Sequence, residues 1–110
     1  MRGFFADDQL LIVPSDTAHG VSLFGEVLGS HKSVLTVALT EQRHTTHDIT
    51  LDLTRVNYVA NSVLDILITL ANSLTPPYRL LIRTSPGLAL RERLAAHPTP
   101  CGNNLRLIDA

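Results

Sequence analysis

Between residues 49 and 82 the hydrophobic period changes twice, and that change restricts the fold more than any other feature of the chain. Ile49, Leu51 and Leu53 alternate with Thr50 and Asp52, the period of two expected of a half-buried strand. From about Asn61 or Ser62 to Leu74, the residues Val63, Leu64, Ile66, Leu67, Ile68, Leu70 and Ala71 cover most of a helix's circumference, so this helix is expected to be largely buried. Pro76-Pro77 stops it. Leu80-Leu81-Ile82 then forms a compact apolar run, as expected for a parallel strand covered on both faces. Strand, buried helix and strand make a crossover unit, and its two strands run parallel with a right-handed connection.

The flanking segments extend this unit. Leu10-Leu11-Ile12-Val13, ended by Pro14, and Val21-Ser22-Leu23-Phe24 read as two strands around the turn cluster of residues 15–20, hence a hairpin. Gly25 and Gly29 bracket the exit from the second strand. Ser30 to Gln42 is expected to be helical, with Val34, Leu35, Ala38 and Leu39 on one apolar face and Ser30 or Ser33 as cap. Thr54 to Val59 reads as an exit segment from the central strand. Ser85-Pro86 is expected to open a third helix as N-cap and first residue, with Leu90 and Leu94 inward and Arg91, Glu92 and Arg93 outward. Leu105, Leu107 and Ile108 make a last short strand. The expected fold is α/β in the order β-β-α-β-α-β-α-β, a central mixed sheet with helices mainly on one face and the first strand at or near an edge. Residues 1–8 read as an extension and 9–110 as a single domain. Leu35, Leu51, Leu53, Ile66, Leu67, Leu70 and Leu81 are the expected core.

Composition removes several function classes. A chain of 110 residues with net charge −1 and Lys32 as its single lysine lacks the basic excess of a nucleic-acid binder. Cys101 is the sole cysteine, which rules out an internal disulfide and suits a reducing compartment. The apolar start is cut short at Asp7, and no run approaches the ~20 apolar residues of a membrane span, so a cytoplasmic chain without membrane contact is expected. His44-Thr45-Thr46-His47 has metal-ligand spacing but no third ligand type beside it, so a solvated loop without metal is expected. His19 and His31 are expected in a turn and near a helix start, and His97 near a helix C-terminus, where the dipole favours a cation. Cys101 is expected to be inert. No G-x-G-x-x-G, G-K-[ST] or G-x-S-x-G occurs. Neither a cofactor nor a catalytic residue is expected.

The polar residues of the second helix carry the sharpest signal. Ser62, Asp65, Thr69 and Asn72 step by three, four and three and so line one narrow face. Ser62 starts that stripe at a helix N-terminus, where unpaired N–H groups and the dipole would favour an added phosphate. Ser62-Val63-Leu64-Asp65 equally fits a capping box, with Ser62 as cap and Asp65 reaching back.

Four segments resemble the STAS domain, the fold of bacterial anti-sigma-factor antagonists, over about residues 9–108. Val21 to Val27 is similar to a family strand ending in Gly-Glu-Leu/Val. Leu51 to Val59 resembles its Asp-Leu-Ser/Thr-x-Val-x-Phe-Ile strand. Asn61-Ser62-Val63-Leu64 falls where the family has Asp-Ser-Ser-Gly-Leu, and Leu80 to Pro86 resembles the following strand and its Ser-Pro turn. The resemblance implies a protein-interaction module that binds an anti-sigma factor of the serine-kinase type, which phosphorylates the serine aligned with Ser62. It implies a binding surface drawn from Gly25, Glu26, Asn57, Asn61, Ser62, Asp65 and Thr69. The chain departs from the pattern at Leu28, Ala60, Asn61, Val63 and Asp65. Two other readings stay open: a scaffold or sensor subunit of the same fold without phosphorylation, and a small enzyme of another type.

Overall fold

Alternating burial along the strands builds a sheet with one covered face. The computed structural model describes residues 5–14, 20–42, 48–74, 78–98 and 104–109. In chain order the strands are β1 (Phe5–Ala6), β2 (Leu10–Pro14), β3 (Gly20–Val27), β4 (Ile49–Val59), β5 (Leu80–Thr84) and β6 (Leu105–Asp109). The helices are α1 (Lys32–Gln42), α2 (Asn61–Ser73) and α3 (Leu90–Ala95). The sheet is mixed, with spatial order β1-β2-β3-β4-β5-β6. β1, β2 and β3 pair antiparallel, and β3 through β6 pair parallel.

Leu10 and Ile12 of β2, Val21 and Leu23 of β3, Ile49, Leu51 and Leu53 of β4, and Leu80 and Ile82 of β5 are all at most 1% exposed. They sit on the same face and pack with Leu35 and Leu39 of α1 and Val63, Leu64, Leu67, Ile68 and Ala71 of α2. Burial of an aliphatic side chain contributes roughly 1.5–3 kcal/mol, so this layer is the main source of stability. Intervening residues such as Leu11, Thr50, Leu81 and Arg83 are half-buried or exposed.

The α/β class, the mixed sheet, the β2–β3 hairpin and the last strand are as the sequence indicates. Several local expectations are corrected. Leu81 is half-buried, because β5 is covered on one face only. Ile66 is half-buried too, since it faces the crevice between α1 and α2. Leu35, Leu51, Leu53, Leu67 and Leu70 are buried. Phe5–Ala6, within the stretch expected to be an extension, pairs with β2.

β4 does not end at Leu53 but runs to Val59, spending ten residues (Thr50 to Val59) against eight of β3 (Gly20 to Val27). Its two register shifts move Val56 and Val59 back onto the buried face after Leu53. Gly25 belongs to β3, at the second of these shifts. Its φ of 108° and the carbonyl oxygen of Gln9, 2.2 Å from where a Cβ would lie, leave no room for a side chain.

None of the expected serine caps makes a side-chain cap bond, although Ser85 does stand at an N-cap position. A 3-10 turn, Gly29–His31, precedes α1, and the N–H of Leu28 is capped by Nδ1 of His31 at 3.0 Å. Ser85-Pro86 opens another 3-10 turn, Pro86–Leu88. Ala89, at φ 52°, breaks it before α3 begins at Leu90. His19, His44, His47 and Cys101 lie outside the described residues.

Candidate functional site

The start of α2 is set by the end of β4. Ala60, with φ −67° and ψ 147°, turns the chain from strand to helix and is the N-cap, without a side-chain cap bond. Its N–H donates to the carbonyl of Val27 at 2.9 Å, tying the carboxyl ends of β3 and β4 to the helix start. Ser62 is therefore the second residue of α2 and not its cap. A Cβ on Gly29 would lie 3.1 Å from the Ser62 hydroxyl oxygen, so the glycine lets the two segments meet.

Asp65 does not reach back to Ser62. It pairs with Nε2 of His97, which follows α3. The sequence placed His97 correctly near a helix C-terminus but gave no sign of this partner, which lies 32 positions away.

Arg93 is the residue that sequence reasoning missed. Placed outward by its spacing, it turns back and donates to three acceptors: the carbonyl of Val59 at 2.5 Å, Oδ1 of Asn61 at 2.8 Å and the carbonyl of Leu88 at 3.3 Å. The α3 segment thus holds the β4–α2 junction through one guanidinium, whose planar fork reaches several acceptors at once. Such a long-range fork leaves no mark in local periodicity. Arg91 and Glu92 are exposed as expected.

Asn61, Ser62, Asp65, Arg93 and His97 line one open depression of about 610 Å³ at this junction. A second, of about 330 Å³, runs between α1 and α2: Lys32, Thr36 and Thr40 descend one wall, Asp65, Thr69 and Ser73 the other, and Leu39, Ile66 and Leu70 form the floor. Asp65 is the ridge that borders both. The stripe Asp65, Thr69 and Asn72 is exposed and Ser62 half-buried, as the step pattern indicates.

No protein-family model matches this chain, and no curated protein matches it in sequence. The geometry alone therefore sorts the candidate residues. It brings Asn61, Ser62, Asp65 and Thr69 onto one surface with Arg93 and His97. It sets Gly25, Glu26 and Asn57 apart. Val27 and Val59 point into the core, whereas Glu26 and its partner Tyr58 are exposed on the opposite side of the sheet. Asn57 is an exposed residue that β3 does not match one to one.

The site's electrostatics are mixed. The amino end of α2 and the Arg93 guanidinium are positive, and Asp65 is the negative group beside them.

A second polar cluster ties the sheet edge to the start of α1. His31 is 3% exposed, and its Nδ1 accepts from Leu28, so Nε2 carries the proton and donates to Oδ2 of Asp7 at 2.8 Å. Asp7 also accepts from the N–H groups of Gln9 and Leu10. The bond from His31, then those from Leu10 and Gln9, hold its carboxyl below the ordinary carboxylate range. Among the described residues, no helix is long and apolar enough to cross a membrane.

Proposed function

We propose that the chain is a protein-interaction module of STAS-like fold that presents the start of α2 and the adjoining α1–α2 crevice to an anti-sigma factor of the serine-kinase type. The observation that carries this reading is the gathering of Asn61, Ser62 and Asp65 around one open depression at the carboxyl ends of two parallel strands. The exposed stripe continues from it down α2. Ser62 is the candidate control point. A phosphate there would meet the amino end of α2 and the Arg93 guanidinium, opposed by Asp65. Glu26, Gly25 and Asn57 are left out of this surface, and Arg93 and His97 are added to it.

Affinity capture with the tagged chain, followed by titration of the recovered protein against wild type, Ser62→Ala and Ser62→Asp, tests the reading. The expected result is a recovered protein with an ATP-binding kinase fold, phosphate on Ser62 by mass spectrometry, and a loss of affinity of about tenfold (~1.4 kcal/mol) for Ser62→Asp. Equal affinity for all three chains, with Ser62 unmodified, would reject this surface.

The crevice favours a second reading, a sensor subunit without phosphorylation. Its apolar floor and hydroxyl-bearing walls are of a size that holds a small ligand. A small molecule retained by the purified chain in native mass spectrometry, and lost on Ile66→Asp, would select it.

A further inference from the structure

The two edges of the sheet are unequal. β1 ends one side with two residues, whereas β6 ends the other with five in unbroken register on β5. Among the described residues, no strand pairs with the outer side of β6. Its sequence, Leu105-Arg106-Leu107-Ile108-Asp109, carries charges at Arg106 and Asp109, which bias what can pair with it, but neither a proline nor a bulge that would stop a strand from pairing. An open depression of about 480 Å³ adjoins this edge, lined by Arg91, Leu94 and Ala95 of α3 and by Leu105, Arg106 and Leu107.

We propose that the outer edge of β6 docks an extended segment of another protein, one that alternates apolar and acidic side chains and joins the sheet as an added strand. A strand laid beside β6 points its side chains alternately to the two faces of the sheet. On the helix side it meets Leu105 and Leu107, which are half-buried against the core, with Leu94 close by. Apolar side chains fit there. On the open side it meets exposed Arg106 and Ile108 and, one strand further in, exposed Arg83, the β5 partner of Ile108. Acidic side chains fit there. A second copy is the poorer occupant. Symmetric antiparallel pairing about Leu107 sets Arg106 opposite Ile108 and diagonally across from its own counterpart, within reach of that long side chain, and supplies no acidic partner for it on that face.

The test uses the whole chain and blocked, fluorescein-labelled peptides of alternating valine and glutamate or alternating valine and lysine, read by fluorescence anisotropy and by amide shift mapping. The expected result is saturable binding of the glutamate peptide, at least about fivefold tighter than the lysine peptide. Shifts should centre on residues 105–109 and 91–95. Arg106 is exposed, so Arg106→Glu is expected to keep the amide dispersion of the folded chain and to reverse the preference, with Arg106→Gln between. No saturable binding up to about 1 mM, equal binding of both peptides, shifts centred elsewhere, or dimerisation of the chain through β6 would each overturn the proposal.

Discussion

Replacing Arg93 by alanine removes the fork that fastens α3 to the β4–α2 junction. Its three acceptors are unequal. The Leu88 carbonyl lies at 3.3 Å, near the limit of a useful bond, and Asn61 is exposed, so both contribute little. The Val59 carbonyl, at 2.5 Å and in a residue 1% exposed, carries most of the effect. A bond from a charged donor contributes about 1.5–3 kcal/mol, and the neighbouring open depression lets water replace part of it. The expected loss is about 1.5–2.5 kcal/mol. For a chain of this size, 1 kcal/mol moves the thermal midpoint by about 4–8 °C, so the midpoint should fall by roughly 6–20 °C. Urea unfolding is the direct assay, with a lower midpoint and an unchanged slope. Arg93→Lys should recover less than half of the loss, because one compact ammonium cannot reach the acceptors that two guanidinium nitrogens share. Arg55→Ala, at an exposed cation of β4, should stay within about 0.5 kcal/mol. A loss below about 0.5 kcal/mol for Arg93→Ala, or a lysine variant as stable as wild type, would refute the reasoning.

Three further outcomes are expected. Leu67→Ala, at a side chain 0% exposed, should cost about 2–5 kcal/mol in the same urea experiment. Gly25→Ala should destabilise by more than about 1 kcal/mol, since it places a Cβ on the Gln9 carbonyl at a φ of 108°. Asp7→Asn should lower the thermal midpoint at neutral pH and converge with wild type in acid. The folded-state carboxyl holds its proton less tightly than in the unfolded chain, so its stabilisation is complete above the ordinary value of 3.8 and is lost as the pH falls through the lower folded-state value. A constant gap between the two chains from neutral pH down to acid would contradict this.

The residues that announced themselves in the sequence are those whose neighbours along the chain explain them. Ile49, Leu51 and Leu53 alternate because the strand has one covered face, and Ser62, Asp65, Thr69 and Asn72 fall in line because a helix has 3.6 residues per turn. What stayed hidden depends on partners distant in sequence. Leu80-Leu81-Ile82 reads as a doubly covered strand, and only the placement of the helices shows that Leu81 faces outward. Arg93, Asp65 and His97 are ordinary surface residues until α3 is laid beside α2. The bulges in β4 broke the alternation after Leu53, which is why the strand seemed to stop there. Ser62 and Ser85 fit the preferences of a cap, yet at Ser62 the turn was already closed two residues earlier, by the Ala60 N–H on the Val27 carbonyl.

The strand order has a consequence for how the chain is made. Every strand lies beside the one synthesised just before it, so a chain emerging from the ribosome never has to leave a gap for a strand still to come. Each crossover can close on a partner already in place, and contacts between successive elements keep loop-closure costs low. Nucleation can therefore begin among elements that are neighbours in sequence, before the last strand has been added. Until β6 has been added, the edge exposed to the crowded exit vestibule is β5, and pairing with β6 is what covers it.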